Sequence, residues 1–135
     1  MTGTAHAAIG AGLGALVGDP AKAFIAGVLS HQIADTMPHK EAPPILDVPA
    51  LFGLLGFLGV RYGLRSPQFW GAVGGVAPDL EHVPPRVGLP PGEKRYFPSH
   101  RDAGAGHDHQ ADMDANQILL TFLGGFLAEA LSKRR

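Results

Sequence analysis

Five apolar stretches with charge-free centres, at 4–17, 21–37, 48–64, 66–82 and 116–131, limit what this chain can fold into more than any other feature. Nothing alternates with period two over a useful length, so no β-sheet is expected. At 1.5 Å per residue each stretch makes a helix of ~20–26 Å, shorter than a hydrocarbon core of ~30 Å. The expected fold is all-α: an up-and-down bundle of about five short, Gly-rich, membrane-embedded helices with a long polar loop at 83–114.

Glycine and proline punctuate the stretches. Gly10, Gly14 and Gly18 form a G-x-x-x-G ladder, which in an apolar helix lets a neighbouring backbone come close. Gly18-Asp19-Pro20 reads as a helix stop and restart. The second helix is expected over 21–37 and is broken by Pro38; Pro43, Pro44 and Pro49 then keep the linker extended. The third is LFGLLGFLGVRYGL, with Gly53, Gly56, Gly59 and Gly63. The fourth follows Pro67 and runs through PDLEH, and the fifth is NQILLTFLGGFLAEAL.

At 135 residues the chain is one domain, 1–135. Its net charge of −1, with basic residues mostly scattered singly, implies no nucleic-acid surface. The absence of cysteine excludes disulfides, iron–sulfur clusters and thiolate zinc sites, so any metal must be held by His and carboxylates. Charged residues are 17% of the chain, against roughly 25% in soluble domains. With 19 glycines, that composition points to a membrane. The opening MTGTAHAAIG has no basic n-region of the kind a secretory signal peptide carries.

The ionisable residues of the apolar stretches are the candidate site. His31 and Asp35 are one helical turn apart, so an imidazole and a carboxylate share a face. Zn accepts both donors at about 2.0–2.2 Å. His39 follows just past Pro38, and Asp79 and His82 are three residues apart in PDLEH. Running the helices up and down brings His6, His31, Asp35, Asp79 and His82 to one end of the bundle. His100, His107 and His109 follow in the loop at that end. His6, His31, Asp35, His39, Asp79, His82 and His100 are therefore candidate ligands for one or more divalent ions, Zn first. His107 and His109 read as a solvated loop. Glu81 is a candidate general base, and Arg101 a phosphate-binding group, since guanidinium pairs well with phosphate. Trp70 and Phe69 fit either an interfacial anchor or the core.

Charge divides the same way. The far end, with Asp19, Lys22, Arg61, Arg65, Glu129 and Lys133-Arg134-Arg135, carries net +4 and the site end net −5. The positive-inside rule then leans towards a cytoplasmic basic end and an extracytoplasmic site, in an inner membrane of bacterial or archaeal type.

The blocks AH…G, SHQIADTMPH, PDLEH and PSHR together resemble the small predicted metal-dependent membrane hydrolases, in which an N-terminal His, a PD-x-D-H, an HR and an SH-x-x-x-D recur among transmembrane helices. HQIADTMPH is also similar to the His-x-x-x-Asp…Pro…His segment of zinc-dependent phospholipase C and the P1-type nucleases, helical enzymes that cut phosphate esters. The resemblance implies a membrane-bound metal-dependent hydrolase of phosphoester, phospholipid-like substrates. It marks His31, Asp35 and His39, then Asp79 and His82, then His6 and His100, as ligands. Membrane lipid is the expected partner. The alternative is a non-catalytic small membrane subunit, self-associating or packed on a larger complex through its Gly-rich helix faces.

Overall fold

The computed structural model describes residues 1–37, 43–82, 97 and 115–132. Among these it is an all-α bundle of five helices: α1 (Gly3–Val17), α2 (Pro20–Ala34), α3 (Pro44–Tyr62), α4 (Pro67–Val76) and α5 (Ala115–Ser132). A 3-10 segment, Ala77–His82, continues α4. Most of the expected loop at 83–114 lies outside the described residues.

Local chemistry sets the helix ends. Thr2 accepts from Ala5 N, Asp19 from Lys22 N, and Ser66 from Phe69 N, each satisfying an amide that the first turn leaves unpaired. Proline opens α2, α3 and α4, where its missing N–H costs nothing. Gly18, at φ 76°, ends α1 in the left-handed region and donates to Gly14 O.

Three boundaries differ from the expected ones. α2 ends at Ala34, and Asp35 is its C-cap rather than an interior residue. α3 begins at Pro44, not at 48, and Pro49 lies inside it. Near the helix start that proline sacrifices one bond, to Ile45 O, which leaves the ladder beyond it intact. The stretch 66–82 is not one α-helix, because Pro78 cannot donate to Gly74 O and the chain tightens to 3-10 geometry.

α1 and α4 are the centre of the bundle, with α2 packed on both and α5 on α1. The approach is backbone to backbone. A Cβ at Gly10 would collide with Gly71 O, one at Gly14 with Pro67 O, and one at Gly75 with His6 O. The pairs 10–71, 14–67 and 6–75 show that the helices run antiparallel. Gly27 and Gly74 serve the α2–α4 contact and Gly124 the α1–α5 contact in the same way. The ladder of α1 is thus consumed within the chain, whereas Gly53 and Gly56 on α3 meet nothing within 4 Å.

The core is inverted relative to that of a water-soluble bundle. Among the described residues, every buried hydrophobic residue apart from Met1 and Leu58 is alanine, and the largest fully buried side chains are His6, His31 and Pro78. Leu51, Leu54, Leu55, Phe69 and Val76 pack partly buried against this core, while many other large apolar side chains point outward. Ile25, Leu29 and Ile33 form an exposed stripe on α2, Phe52, Phe57 and Val60 one on α3, and Leu119, Phe122 and Phe126 one on α5. One helix segment, Ile45–Tyr62, is long and apolar enough by composition to cross a membrane, and 6% of it is buried.

Replacing Gly10 with Leu should destabilise the bundle by about 1–3 kcal/mol or more, since the neighbour it strikes is backbone. Gly53→Ala should stabilise it by roughly 0.5–1 kcal/mol, because a methyl there meets nothing and helical glycine is entropically costly. Thermal unfolding of the two variants checks this; the opposite order of melting temperatures would contradict the packing described.

Candidate metal centre

α1 brings His6 to the site from its second turn, α2 brings His31 and Asp35 from its last, and the 3-10 segment brings Asp79. The α1–α4 glycine contacts place Gly75 against the backbone of His6. From the same position the Gly75 carbonyl reaches His31, whose Nδ1 lies 2.8 Å from it.

That contact decides the ring's chemistry. A carbonyl can only accept, so Nδ1 of His31 carries the proton. In a neutral imidazole the lone pair is then on Nε2. This atom faces Asp35 Oδ2 at 3.0 Å and Asp79 Oδ1 at 3.9 Å. A lone pair pointed at carboxylate oxygens repels them unless a proton or a cation lies between.

His6 faces the same place. Its ring stacks on that of His31 at a centroid separation of 3.9 Å and 24° between planes. Its Nε2 is 3.1 Å from Asp35 Oδ1, yet neither ring nitrogen has the geometry of a hydrogen bond. Both imidazoles are buried, at 1% and 0% exposure, and the Asp35 side chain is 7% exposed. Asp79, at 31%, is the most exposed of the four. The Met1 amino nitrogen lies 3.5 Å from Asp35 Oδ1. One ligand atom each from His6, His31 and Asp79 falls within 4.8 Å of the others. Two imidazoles and a carboxylate are a donor set that a Zn-class ion accepts, and Asp35 lies in contact with both rings.

Asp47 completes the surroundings. From the first turn of α3 its carboxylate accepts from Gly3 N at 2.8 Å, Thr4 N at 3.1 Å and Thr4 Oγ1 at 2.7 Å. It thus caps α1 across the bundle, at the positive end of the helix dipole. This fixes the N-terminal turn that leads to His6. Gln117 Nε2 donates to Thr2 Oγ1 at 3.4 Å, which ties α5 to the same turn.

The structure therefore brings together His6, His31, Asp35 and Asp79 of the expected ligands. His39, His100 and Arg101 lie outside the described residues, as does the side chain of His82. Glu81 is in the 3-10 segment and accepts from Phe97 N at 3.1 Å. Trp70 and Phe69 belong to an edge-to-face cluster with Phe24 on the α4 surface, with Trp70 39% exposed. The carbonyl of Gly75 and the cap from Asp47 were not foreseen. No sequence signal marks a carbonyl that is to hold an imidazole; for Asp47, an acid in the first turn after Pro43-Pro44 was the available hint.

Whenever the His31 ring is neutral, its proton should be on Nδ1. Nitrogen-15 shifts of labelled histidine report this directly, and an Nε2–H tautomer would contradict the Gly75 contact. No family model, curated protein or solved structure matches this chain, so the reading of the site rests on its own chemistry.

Proposed function

We propose that the chain is a membrane-embedded, metal-dependent hydrolase acting on phosphoesters of the phospholipid type, with a Zn-class ion held by His6, His31 and Asp79 and closed off by Asp35. The observation that carries this reading is His31. Its tautomer is set by Gly75 O, and its remaining nitrogen is aimed at two carboxylates, with the ring of His6 stacked beside it and His6 Nε2 on one of the same carboxylates. Ionisable groups buried in an apolar bundle are expensive, and a shared cation offsets that cost.

Membrane embedding is supported by the inverted core. Alanine, glycine and two histidines are inside, and Ile, Leu and Phe stripes are outside. In water such a surface would aggregate, whereas in lipid it is the favourable one, and close glycine packing replaces the hydrophobic effect between helices. The site then sits at one mouth, with Asp79 on its open side. A bound Zn-class ion would supply Lewis acidity towards a phosphoryl oxygen and acidify a water. The roles assigned to the chain itself are positional. Gly75 and Asp35 orient the two imidazoles, Glu81 takes a proton and Arg101 holds the phosphate. His39, His82 and His100 are further ligands if more than one ion is bound.

A non-catalytic membrane subunit is the second reading. It is favoured by the open face of α3, where Gly53 and Gly56 lie between the exposed Phe52 and Phe57.

Elemental analysis of the purified protein should find about one divalent ion per chain. His31→Ala and Asp79→Ala should each lose it, or bind it at least ~10-fold more weakly, while Glu129→Gln at the far end keeps it. Phospholipid or aryl-phosphate hydrolysis should stop with a chelator and return with Zn. A metal-free protein in a stable stoichiometric complex would replace the first reading with the second. Release of the chain from membranes by an alkaline wash would remove the membrane reading.

A further inference from the structure

The opposite mouth of the bundle holds an open groove of about 700 Å³, between the end of α3, the turn into α4 and the end of α5. That is within the ordinary range for a small-ligand site. Arg61, Arg65, Ser66, Gln68 and Ser132 are among its lining residues. The only carboxylate that these elements bring nearby among the described residues, Glu129, is already neutralised. It takes Arg61 Nη2 at 2.9 Å and the Tyr62 hydroxyl at 2.7 Å.

Two donors remain. Arg65 is exposed and makes no ion pair with any described residue. Gln68 is only 8% exposed and lines the cavity, yet its side-chain amide makes no hydrogen bond to any described residue. Held at the cavity wall in this way, the amide has a donor and an acceptor uncommitted and available to a polar ligand. Ser66 and Gln68 stand at the N-terminus of the ten-residue α4, where the helix dipole favours an anion. Beside the cavity, α3 and its following turn expose Val60 at 91% and Leu64 at 66%. A cationic, donor-lined pocket bordered by an exposed aliphatic strip matches a molecule with a phosphate at one end and hydrocarbon at the other.

We propose that this cavity binds an anionic phospholipid, its headgroup phosphate held by Arg65 and Gln68 and its acyl chains lying along Val60 and Leu64. The lipid source rests on the membrane reading above; the site is independent of the metal centre. It lies at the basic end of the chain, where anionic lipid and basic residues meet in an inner leaflet.

Native mass spectrometry of the full chain in detergent tests this, with phosphatidylglycerol, diacylglycerol and glycerol phosphate as separate titrants. Phosphatidylglycerol should be retained at least 10-fold more tightly than diacylglycerol or glycerol phosphate. Arg65→Gln and Gln68→Leu should each reduce that retention 10-fold or more. Arg65→Gln should melt as the parent does, because its side chain is exposed and unpaired, so its loss of binding is not a loss of fold. Equal binding of diacylglycerol would overturn the phosphate contact, and equal binding of glycerol phosphate would overturn the lipid assignment. Unchanged retention by Arg65→Gln would overturn the site. The alkaline wash tests the membrane reading separately, so a chain that stays in the membrane but fails here overturns this proposal alone.

Discussion

The backbone contact between α1 and α4 is the constraint on which the rest of this structure depends. It requires glycine on both sides at Gly10 and Gly71, and again at Gly75 against His6 O. A methyl group at any of these would push the helices apart by more than the site can tolerate, since Gly75 also supplies the carbonyl that fixes His31. Packing and chemistry therefore share one residue. The contact that brings α4 onto α1 also sets the tautomer of one imidazole and the placement of the other.

The same close packing explains the inverted core. Alanine and glycine bury little apolar area per residue, so these helices gain little from the hydrophobic effect between them. What they gain is a high density of dispersion contacts and short interhelical backbone distances. The carboxylates within and around the bundle are held by contacts with neighbouring helices. Asp47 caps α1, Asp35 touches both histidines, and Glu129 closes the far end with Arg61 and Tyr62. These three carboxylates tie α3 to α1, α2 to α1 and α5 to α3, which alanine packing alone would do weakly.

Much of this was legible in the chain. The stop and restart at Gly18-Asp19-Pro20 and the helix start at Pro67 read correctly because their chemistry is local. Helix parity placed His6, His31, Asp35 and Asp79 at one end, and all four are found together. The starts and stops read less well at Pro44, Pro49 and Pro78. A proline can open a helix, sit in its early turns or tighten it to 3-10, and the choice depends on what the freed carbonyl faces in space. The glycines were recognised as a class. Their division into spent ones, such as Gly10 and Gly75, and open ones, such as Gly53 and Gly56, was not, because spacing is the same in both.

By itself the sequence determined an all-helical chain, the polarity of each helix and therefore which ionisable residues share an end. These follow from periodicity, local capping and the shortness of the connections. Only the tertiary structure decided that the Gly75 carbonyl would hold His31, that the His6 ring would stack on it with Nε2 against Asp35, and that Asp47 would cap a helix more than forty positions away. Those outcomes depend on how closely two backbones approach and at what register, and both are settled by helix-on-helix packing rather than by any residue's own preference.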